Sequence, residues 1–260
     1  MKIAICGAGG RMGRAVARLA AGAGATVVGA ADAPDAPTIG RDLGELCGVG
    51  TLGVAVSGDV GAALLGAEAV VDFSSPKALP ALLAAAVRNK VAVVSGTTGL
   101  EGAAERALDE AARSVPVLWS PNMSIGVHVL AQLVARAVQM LGADFDIEIV
   151  ETHHRAKVDA PSGTAKRLLD AVREARADVT VVHGREGIVG ARPDREVAVV
   201  ALRGGDVVGD HTVHLLGAGE RIELTHRATN RELFAQGALR AARAIVGKPP
   251  GRYTMSDVVG

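Results

Sequence analysis

The strongest constraint on the fold is the regular alternation of two kinds of segment in the first half of the chain. Short runs rich in Val, Ile and Ala are each followed by a longer amphipathic segment rich in Ala and Leu. This alternation is typical of βαβ units, in which helices join parallel strands and cover both faces of the sheet. It predicts strands at Lys2–Cys6, Ala25–Ala31, Ala69–Phe73, Val91–Ser95 and Val115–Trp119. It predicts helices at Arg11–Ala21, Lys77–Arg88 and Glu101–Arg113.

Beyond Asn122 the pattern changes to strand-like runs separated by turn glycines. Ser124 is placed to cap a long helix that reaches Leu141, and the Ala-rich segment Arg231–Val246 predicts a final helix like those of the first half. The strands predicted between these two helices are Asp146–Thr152, Val179–His183, Glu196–Arg203, Val207–Leu216 and Arg221–His226. One helix, Ala165–Arg176, is predicted among them.

These patterns predict an α/β chain of two domains. The first is a Rossmann-like doubly wound parallel sheet formed by residues 1–123 and completed by a C-terminal helix within residues 232–260. The second, residues 124–231, is an α+β domain built on a mostly antiparallel or mixed sheet. Hydrophobic residues make up 49% of the 260 residues, which is enough to bury a core in each domain.

Charge and cysteine content exclude several classes of function. The 28 Lys and Arg residues balance the 28 Asp and Glu residues, so we expect neither nucleic acid nor a membrane surface as a partner. Cys6 and Cys47 are too few for a disulfide framework and lack metal-ligand spacing, which predicts buried thiols in a reducing compartment. No signal peptide is recognised, and no segment approaches the roughly 20 uninterrupted apolar residues that a membrane span needs. We therefore expect a soluble, cytoplasmic protein.

A glycine-rich turn follows the first predicted strand and leads into a helix. Such a turn places backbone N–H groups and the positive end of the helix against a pyrophosphate. Met12 stands where the G-x-G-x-x-G fingerprint has its third glycine, so a tight turn without a ligand remains an alternative. The residues predicted to contact a nucleotide here are Gly7, Ala8, Gly9, Gly10, Arg11 and Met12.

Asp32 strengthens the prediction of a nucleotide site. It ends the second predicted strand, roughly 20 residues beyond the glycines, where a carboxylate accepts hydrogen bonds from ribose hydroxyls. Ala33 follows it, so no adjacent cation is ready for a 2′-phosphate, and Arg11 is the nearest candidate. We therefore expect NADH to be preferred and NADPH to be accepted.

Two further loops follow the fourth and fifth predicted strands, where ligands of open α/β sheets bind. Their small and amide side chains suit a nicotinamide ribose or carboxamide, although either loop alone could be an ordinary turn. The residues predicted here are Gly96, Thr97, Thr98, Ser120, Pro121, Asn122 and Met123.

The densest polar cluster of the chain is the segment Glu151–Ala165. His153 could donate a proton near neutral pH, and Lys157 could supply a second proton or a positive charge. The helix start at Ser162–Thr164 could hold a carboxylate through its N–H groups. A solvated basic loop is the alternative. No metal site is predicted, because His153 and His154 point to opposite faces of a strand and no third ligand is suitably spaced.

The same segment resembles the signature of the dihydrodipicolinate reductase (4-hydroxy-tetrahydrodipicolinate reductase) family. The glycine turn, the G-T-T-G loop, the P-N-M-S-I-G-V segment and the run Arg203–His211 resemble that family too, in the same order from Lys2 to Val258. The resemblance implies NAD(P)H-dependent reduction of 4-hydroxy-tetrahydrodipicolinate, a small cyclic dicarboxylate, to tetrahydrodipicolinate in lysine and diaminopimelate biosynthesis. It also implies a homotetramer built through the second domain, which binds substrate.

The resemblance further implies roles for individual residues. His153 is the expected proton donor and acceptor, and Lys157 the second proton donor. The residues expected to contact substrate are His154, Gly163 and Thr164. Two other functions remain open from the residues alone. A related two-domain amine dehydrogenase should lack the H-H-R-x-K cluster, and a non-catalytic nucleotide sensor should carry a DNA-binding helix pair or a basic face.

Overall fold

The computed structural model describes residues 1–259, which form two compact units. The first unit comprises Met1–Ile125 and Glu232–Gly260, and the second comprises Gly126–Arg231. The strands are, in chain order, β1 Lys2–Cys6, β2 Thr26–Ala31, β3 Val56–Ser57, β4 Ala69–Asp72, β5 Ala92–Ser95, β6 Pro116–Trp119, β7 Asp146–His153, β8 Thr180–Val182, β9 Glu196–Arg203, β10 Gly209–Gly217, β11 Glu220–Ala228 and β12 Gly251–Tyr253. The helices are α1 Arg11–Ala20, α2 Leu43–Cys47, α3 Val60–Ala63, α4 Leu79–Asn89, α5 Ala103–Ala112, α6 Ile125–Leu141, α7 Gly163–Ala175, α8 Glu232–Ile245 and α9 Ser256–Val259.

The first unit is built on a seven-stranded parallel sheet in the order β12-β6-β5-β4-β1-β2-β3. Helices cover both of its faces: Ile3 and Ile5 of β1 pack with α1 and α8, and Ala4 and Cys6 pack with α4 and α5. β4 and β5 are buried along their whole length because both faces are covered. The strand order reverses between β1 and β4, and the crevice at the carboxyl ends of these strands is where such folds bind ligands.

The second unit is built on a five-stranded mixed sheet in the order β11-β10-β7-β9-β8. β7 pairs antiparallel with β10 and parallel with β9. Burial alternates along β7, so Ile147 and Ile149 face the core formed with α6 and α7. The same alternation places Glu151 and His153 on this buried face.

The predicted strands and helices are all present, with bounds that differ by a few residues, and β1 and β9 match the prediction residue for residue. Five short elements were not predicted: α2, β3, α3, β12 and α9. α2 and α3 are only 5 and 4 residues long, too short for a hydrophobic period to show in the sequence. A side-chain cap stabilises the start of each helix. Asp42 accepts hydrogen bonds from the N–H groups of Gly44 and Glu45 in α2, and Asp59 accepts them from the first N–H groups of α3.

One helix has the length and composition of a membrane span, although polar residues interrupt its apolar run. The stretch Ile125–Asp144 is long and apolar enough, by length and composition, to cross a membrane. The core helix of a soluble protein passes the same test. Leu130, Val134 and Val138 of α6 pack into the core of the second unit, which accounts for the apolar face of this helix. Cys6 and Cys47 are buried free thiols, as predicted.

Gly13 lets α1 approach the turn that precedes it. A Cβ atom at this position would lie 2.2 Å from the Gly7 carbonyl oxygen and 2.7 Å from the Ala8 Cα atom. Gly13→Ala should therefore lower the free energy of unfolding by about 1–3 kcal/mol, since backbone must move to make room. Guanidinium denaturation measures this change. Gly22→Ala is the control, because its Cβ atom would meet only the Leu19 carbonyl oxygen at 3.8 Å, and it should change stability by less than about 0.5 kcal/mol. Equal losses in both variants would contradict this account of Gly13.

Candidate active site

A cavity of about 510 Å³ lies in the first unit at the carboxyl ends of β1, β2 and β4. Its lining includes Gly7, Gly10, Asp32, Ala33, Phe73 and Ser74. No Lys or Arg side chain is among the described residues that line it. The cavity therefore suits the adenosine side of a nucleotide better than an additional phosphate.

The glycine turn at this cavity has the geometry of a pyrophosphate site. Gly7 adopts a φ of 71°, which disfavours other residues. α1 begins after Gly10, and no side chain at the N-cap accepts a hydrogen bond from its first N–H groups. In a dinucleotide-binding turn, the third glycine lets the helix pack closely against the strand. Gly13 makes this close approach here, whereas Met12 packs against the hydrophobic core. Gly13 was absent from the predicted site because the fingerprint places its glycine one residue earlier.

Asp32 directly follows β2 and accepts a hydrogen bond from the glycine turn. Its Oδ2 atom accepts the Gly9 N–H at 2.8 Å and lies 3.4 Å from the Thr38 hydroxyl, while Oδ1 accepts the Ala33 N–H at 2.9 Å. A Cβ atom at Gly9 would lie 2.5 Å from Oδ2, so this approach requires a glycine. Three donors hold the carboxylate at the edge of the cavity, where its remaining lone pairs can accept ribose hydroxyls.

The two loops predicted to contact nicotinamide differ in what they can offer. The Thr97 hydroxyl donates to Asp72 at 2.8 Å, and the Thr97 carbonyl accepts the Trp119 indole N–H at 2.8 Å. The Ser120 hydroxyl donates to the Asn122 carbonyl at 2.7 Å, and the Met123 side chain is buried in the core. Ala8 is buried as well, and Arg11 is exposed outside the cavity lining. The side chains of Ala8, Thr97 and Met123 are therefore not available to a ligand in this structure.

Asp72 organises this edge of the sheet and was not predicted. It is fully buried at the end of β4. Its oxygens accept the hydroxyls of Ser74, Ser95 and Thr97 at 2.5, 2.6 and 2.8 Å. An acid that ends an otherwise apolar buried strand was the signal available in the sequence.

The second unit holds a buried ion cluster around Glu151. The Glu151 side chain is fully buried. Oε2 receives His153 Nδ1 at 2.5 Å and Arg203 Nη1 at 2.8 Å, and Oε1 receives Arg203 Nη2 at 2.9 Å and the Ser162 N–H at 3.0 Å. Burial acts to raise the pKa of Glu151, but the hydrogen bonds from Arg203, His153 and Ser162 outweigh it and lower that pKa.

His211 lies against the predicted proton donor. The rings of His153 and His211 meet edge to face with centroids 5.1 Å apart, and His211 Nε2 lies 3.0 Å from the Ser162 hydroxyl. Burial, followed by the nearby charge of His153, lowers the pKa of His211 to about 4, so this imidazole is neutral near pH 7. Its buried Nδ1 atom has no hydrogen-bond partner among residues 1–259. A buried polar atom of this kind suits a group supplied by a ligand.

The other predicted site residues lie between the end of β7 and the first turn of α7 along the chain. Lys157 Nζ contacts Asp159 at 2.7 Å, and His154 Nε2 lies 3.0 Å from an Arg231 guanidinium nitrogen. Ser162 caps α7 by accepting the Ala165 N–H at 3.2 Å. A Cβ atom at Gly163 would meet nothing within 4 Å beyond its chain neighbours and its own helix backbone, so there is space beside the start of α7. Lys157 also contributes to the low pKa of His211, which places its charge near the two imidazoles.

Comparison with known proteins identifies the family. A family model described as "Dihydrodipicolinate reductase, N-terminus" matches residues 1–123, and one described as "Dihydrodipicolinate reductase, C-terminus" matches residues 126–259. The chain belongs to the dihydrodipicolinate reductase family. The resemblance found in the sequence motifs is thereby confirmed.

Curated relatives and solved structures agree with this family. The 4-hydroxy-tetrahydrodipicolinate reductase of Anaeromyxobacter dehalogenans is 50% identical, with 100% of this chain and 97% of the relative covered. That of Geobacter metallireducens is 45% identical over 100% and 99%. A dipicolinate-bound dihydrodipicolinate reductase from Paenisporosarcina sp. TG-14 shares the fold with a TM-score of 0.80 at 23% identity, covering 100% of this chain and 99% of that chain. An amine dehydrogenase from Mycobacterium smegmatis has a TM-score of 0.61 at 15% identity, covering 99% and 95%. The predicted fold class is confirmed.

Arg203 and His211 are residues of this candidate site to which sequence reasoning gave no role. Arg203 and His211 begin and end the family-like run after β9, which was the available signal. Their partners, Glu151 on β7 and Ser162 at the start of α7, lie 52 and 49 residues away along the chain. Sequence spacing therefore gave no means of pairing Arg203 with Glu151 or His211 with Ser162.

The low pKa of His211 should make the protein sensitive to acid. The unfolded chain binds a proton as the pH falls through 6.5, whereas the folded protein resists it until about pH 4, so stability falls across this window. The loss attributable to His211 is at most about 3 kcal/mol. His211→Gln should reduce the difference in unfolding free energy between pH 7 and pH 4.5, measured by guanidinium denaturation. A His211→Gln variant that keeps the wild-type difference would contradict the assignment.

Proposed function

We propose that the chain catalyses the NAD(P)H-dependent reduction of 4-hydroxy-tetrahydrodipicolinate to tetrahydrodipicolinate, in lysine and diaminopimelate biosynthesis. The observation that carries this proposal is the buried Glu151–His153 pair, joined by Glu151 to the start of α7, where Gly163 leaves space. It combines a proton donor with N–H groups suited to a carboxylate, the two features that a cyclic dicarboxylate substrate requires. The relatives that match over the full chain bear the name of this activity.

The chain's residues would divide the reaction as follows. Bound NADH or NADPH supplies a hydride. The reaction also consumes a proton and releases water, and His153 donates the proton while Lys157 supplies a second proton or a positive charge. Gly163 and Thr164 hold a substrate carboxylate at the positive end of the 13-residue helix α7, and His154 contacts substrate. The positive charge of Lys157 and the positive end of α7 would both stabilise the negative charge of the dicarboxylate.

We assign residues 1–123 and 232–260 to cofactor binding and residues 124–231 to substrate binding and oligomerisation. The glycine turn, Asp32 and the two loops after β5 and β6 would hold the cofactor. A homotetramer is supported by the face of the second sheet opposite α6 and α7, which carries half-buried Val150 and Val200 and a Leu202 that is 49% exposed. Light scattering of the purified protein would measure the oligomer. We place the enzyme in the cytoplasm, as its biosynthetic role requires.

The two alternative functions are not favoured. The amine dehydrogenase shares only the fold, and this chain keeps the segment His153–Lys157 that such an enzyme is expected to lack. A non-catalytic nucleotide sensor would leave the buried Glu151–His153 pair without a use. The buried ion cluster therefore favours catalysis.

Turnover tests the proposed function directly. The wild type should oxidise NADH when 4-hydroxy-tetrahydrodipicolinate is freshly generated, and no turnover would overturn the proposal. His153→Ala and Lys157→Ala should each lower kcat by about 10²-fold or more with little change in KM, because both act mainly in the transition state. Lys166→Ala, an exposed lysine on α7, is the control and should turn over like the wild type. Normal turnover in a His153 or Lys157 variant would remove that residue from the mechanism.

Cofactor preference is a second test. A 2′-phosphate beside Asp32 meets a like charge, and no Lys or Arg among the described residues lines the cavity. A contact of this kind is worth roughly 1 kcal/mol at an exposed site, so kcat/KM should favour NADH by a few-fold to about tenfold. Ala33→Arg should narrow or reverse the ratio. Ala103→Arg, which adds the same charge on α5, should leave it unchanged. A wild type that prefers NADPH by tenfold would show that Arg11 or a distant residue dominates the site.

A further inference from the structure

We propose that Glu151, held by Arg203, is a positioning residue that fixes which nitrogen of His153 carries the proton and couples that imidazole to the start of α7. The inference rests on the proposed function, because it takes His153 as the proton donor. It adds a residue to which no role was given from the sequence or the family resemblance.

The hydrogen-bond partners of Glu151 favour an ionised carboxylate. Four groups surround its two oxygens: two guanidinium nitrogens of Arg203 and the Ser162 N–H, which are fixed donors, and His153 Nδ1, whose hydrogen depends on the tautomer. The three fixed donors and the guanidinium charge favour the ionised carboxylate, which only accepts. The guanidinium grips the carboxylate with two parallel bonds, which adds a fixed orientation to the ion pair.

The ionised carboxylate determines the tautomer of His153. Because Glu151 only accepts, the hydrogen of the 2.5 Å contact belongs to Nδ1 of His153. A neutral His153 therefore has its lone pair on Nε2, and Nε2 is the atom that gains and gives the proton. Gly209 leaves room for this end of the ring, since a Cβ atom there would lie 2.9 Å from Nε2.

Hydrogen bonds link the same carboxylate to three parts of the proposed substrate site. Its Oε1 atom holds the N–H of Ser162, whose hydroxyl caps α7. Arg203 also donates to the Asp159 carbonyl at 2.7 Å, and Asp159 contacts Lys157. The proton donor, the carboxylate-binding helix start and the loop of Lys157 are therefore all linked to Glu151. A small displacement of its carboxylate would move all three relative to a bound substrate.

Glu151→Gln tests this coupling with almost no change in side-chain volume. The amide must turn its NH₂ group toward two of the four groups, so the preference for the Nδ1–H form of His153 should be lost. We expect ¹⁵N NMR of histidine-labelled protein, with His153 assigned from His153→Gln, to show the Nδ1–H form in the wild type and a mixture in the variant. We expect kcat to fall by about 10²-fold, because misplaced groups lose much of their effect.

Glu148→Gln is the matched control. Glu148 lies on the same strand but on the opposite face, and it too is held by arginines, Arg185 and Arg192. Its replacement should destabilise the fold to a comparable extent yet leave the His153 spectrum and kcat near those of the wild type. An equal loss of kcat in both variants would mean that Glu151 acts only through stability, and would overturn the inference.

The wild-type spectrum keeps the inference testable even if Glu151→Gln does not fold. A neutral His153 found with its hydrogen on Nε2 in the unmodified protein would overturn the inference without any variant. A Glu151→Gln protein that keeps the Nδ1–H form, or that turns over within twofold of the wild type, would overturn it as well. Failure of the wild type to reduce the substrate would instead reject the proposed function, because the NMR measurement needs no turnover.

Discussion

The buried carboxylate of Glu151 is the constraint on which the second unit depends. Removing an ionised carboxylate from water costs several kcal/mol unless hydrogen bonds and an opposite charge replace the lost hydration. Here the replacements come from three places, β7 itself, Arg203 on β9 and the start of α7. The unit therefore reaches its low free energy only when these elements are assembled, and that assembly also brings the proposed catalytic groups together.

The first unit uses a different solution for its buried acid. Asp72 is surrounded by hydroxyl groups from β5 and the adjoining loops, and within residues 1–259 no cation donates a hydrogen bond to it. Asp32 is likewise held mainly by backbone N–H groups. Both acids lie at the carboxyl ends of strands, where hydrogen bonds to neutral groups rather than ion pairs hold them.

The sequence allowed prediction of what depends on local periodicity and missed what depends on contacts between distant segments. The alternation of apolar runs located the main strands and helices, and the polar segment after β7 located His153 and Lys157. The pairing of Glu151 with Arg203 depends on the parallel register of β7 and β9, which no local pattern encodes. The caps of α2 and α3 and the close approach at Gly13 were missed for a related reason, since each is a backbone geometry that composition does not reveal.

The place of α8 in the fold has a consequence for how the chain matures during synthesis. The second unit is an insertion: all of its residues have been made once Arg231 leaves the ribosome. The first unit begins the chain, yet its core still lacks α8, which packs so closely that a Cβ atom at Gly237 would lie 1.7 Å from the Met123 carbonyl oxygen. The usual order of folding from the N-terminus is therefore reversed. The nascent first unit must expose an apolar sheet face until residues 232–245 have been synthesised. During that period we expect chaperones to bind this face.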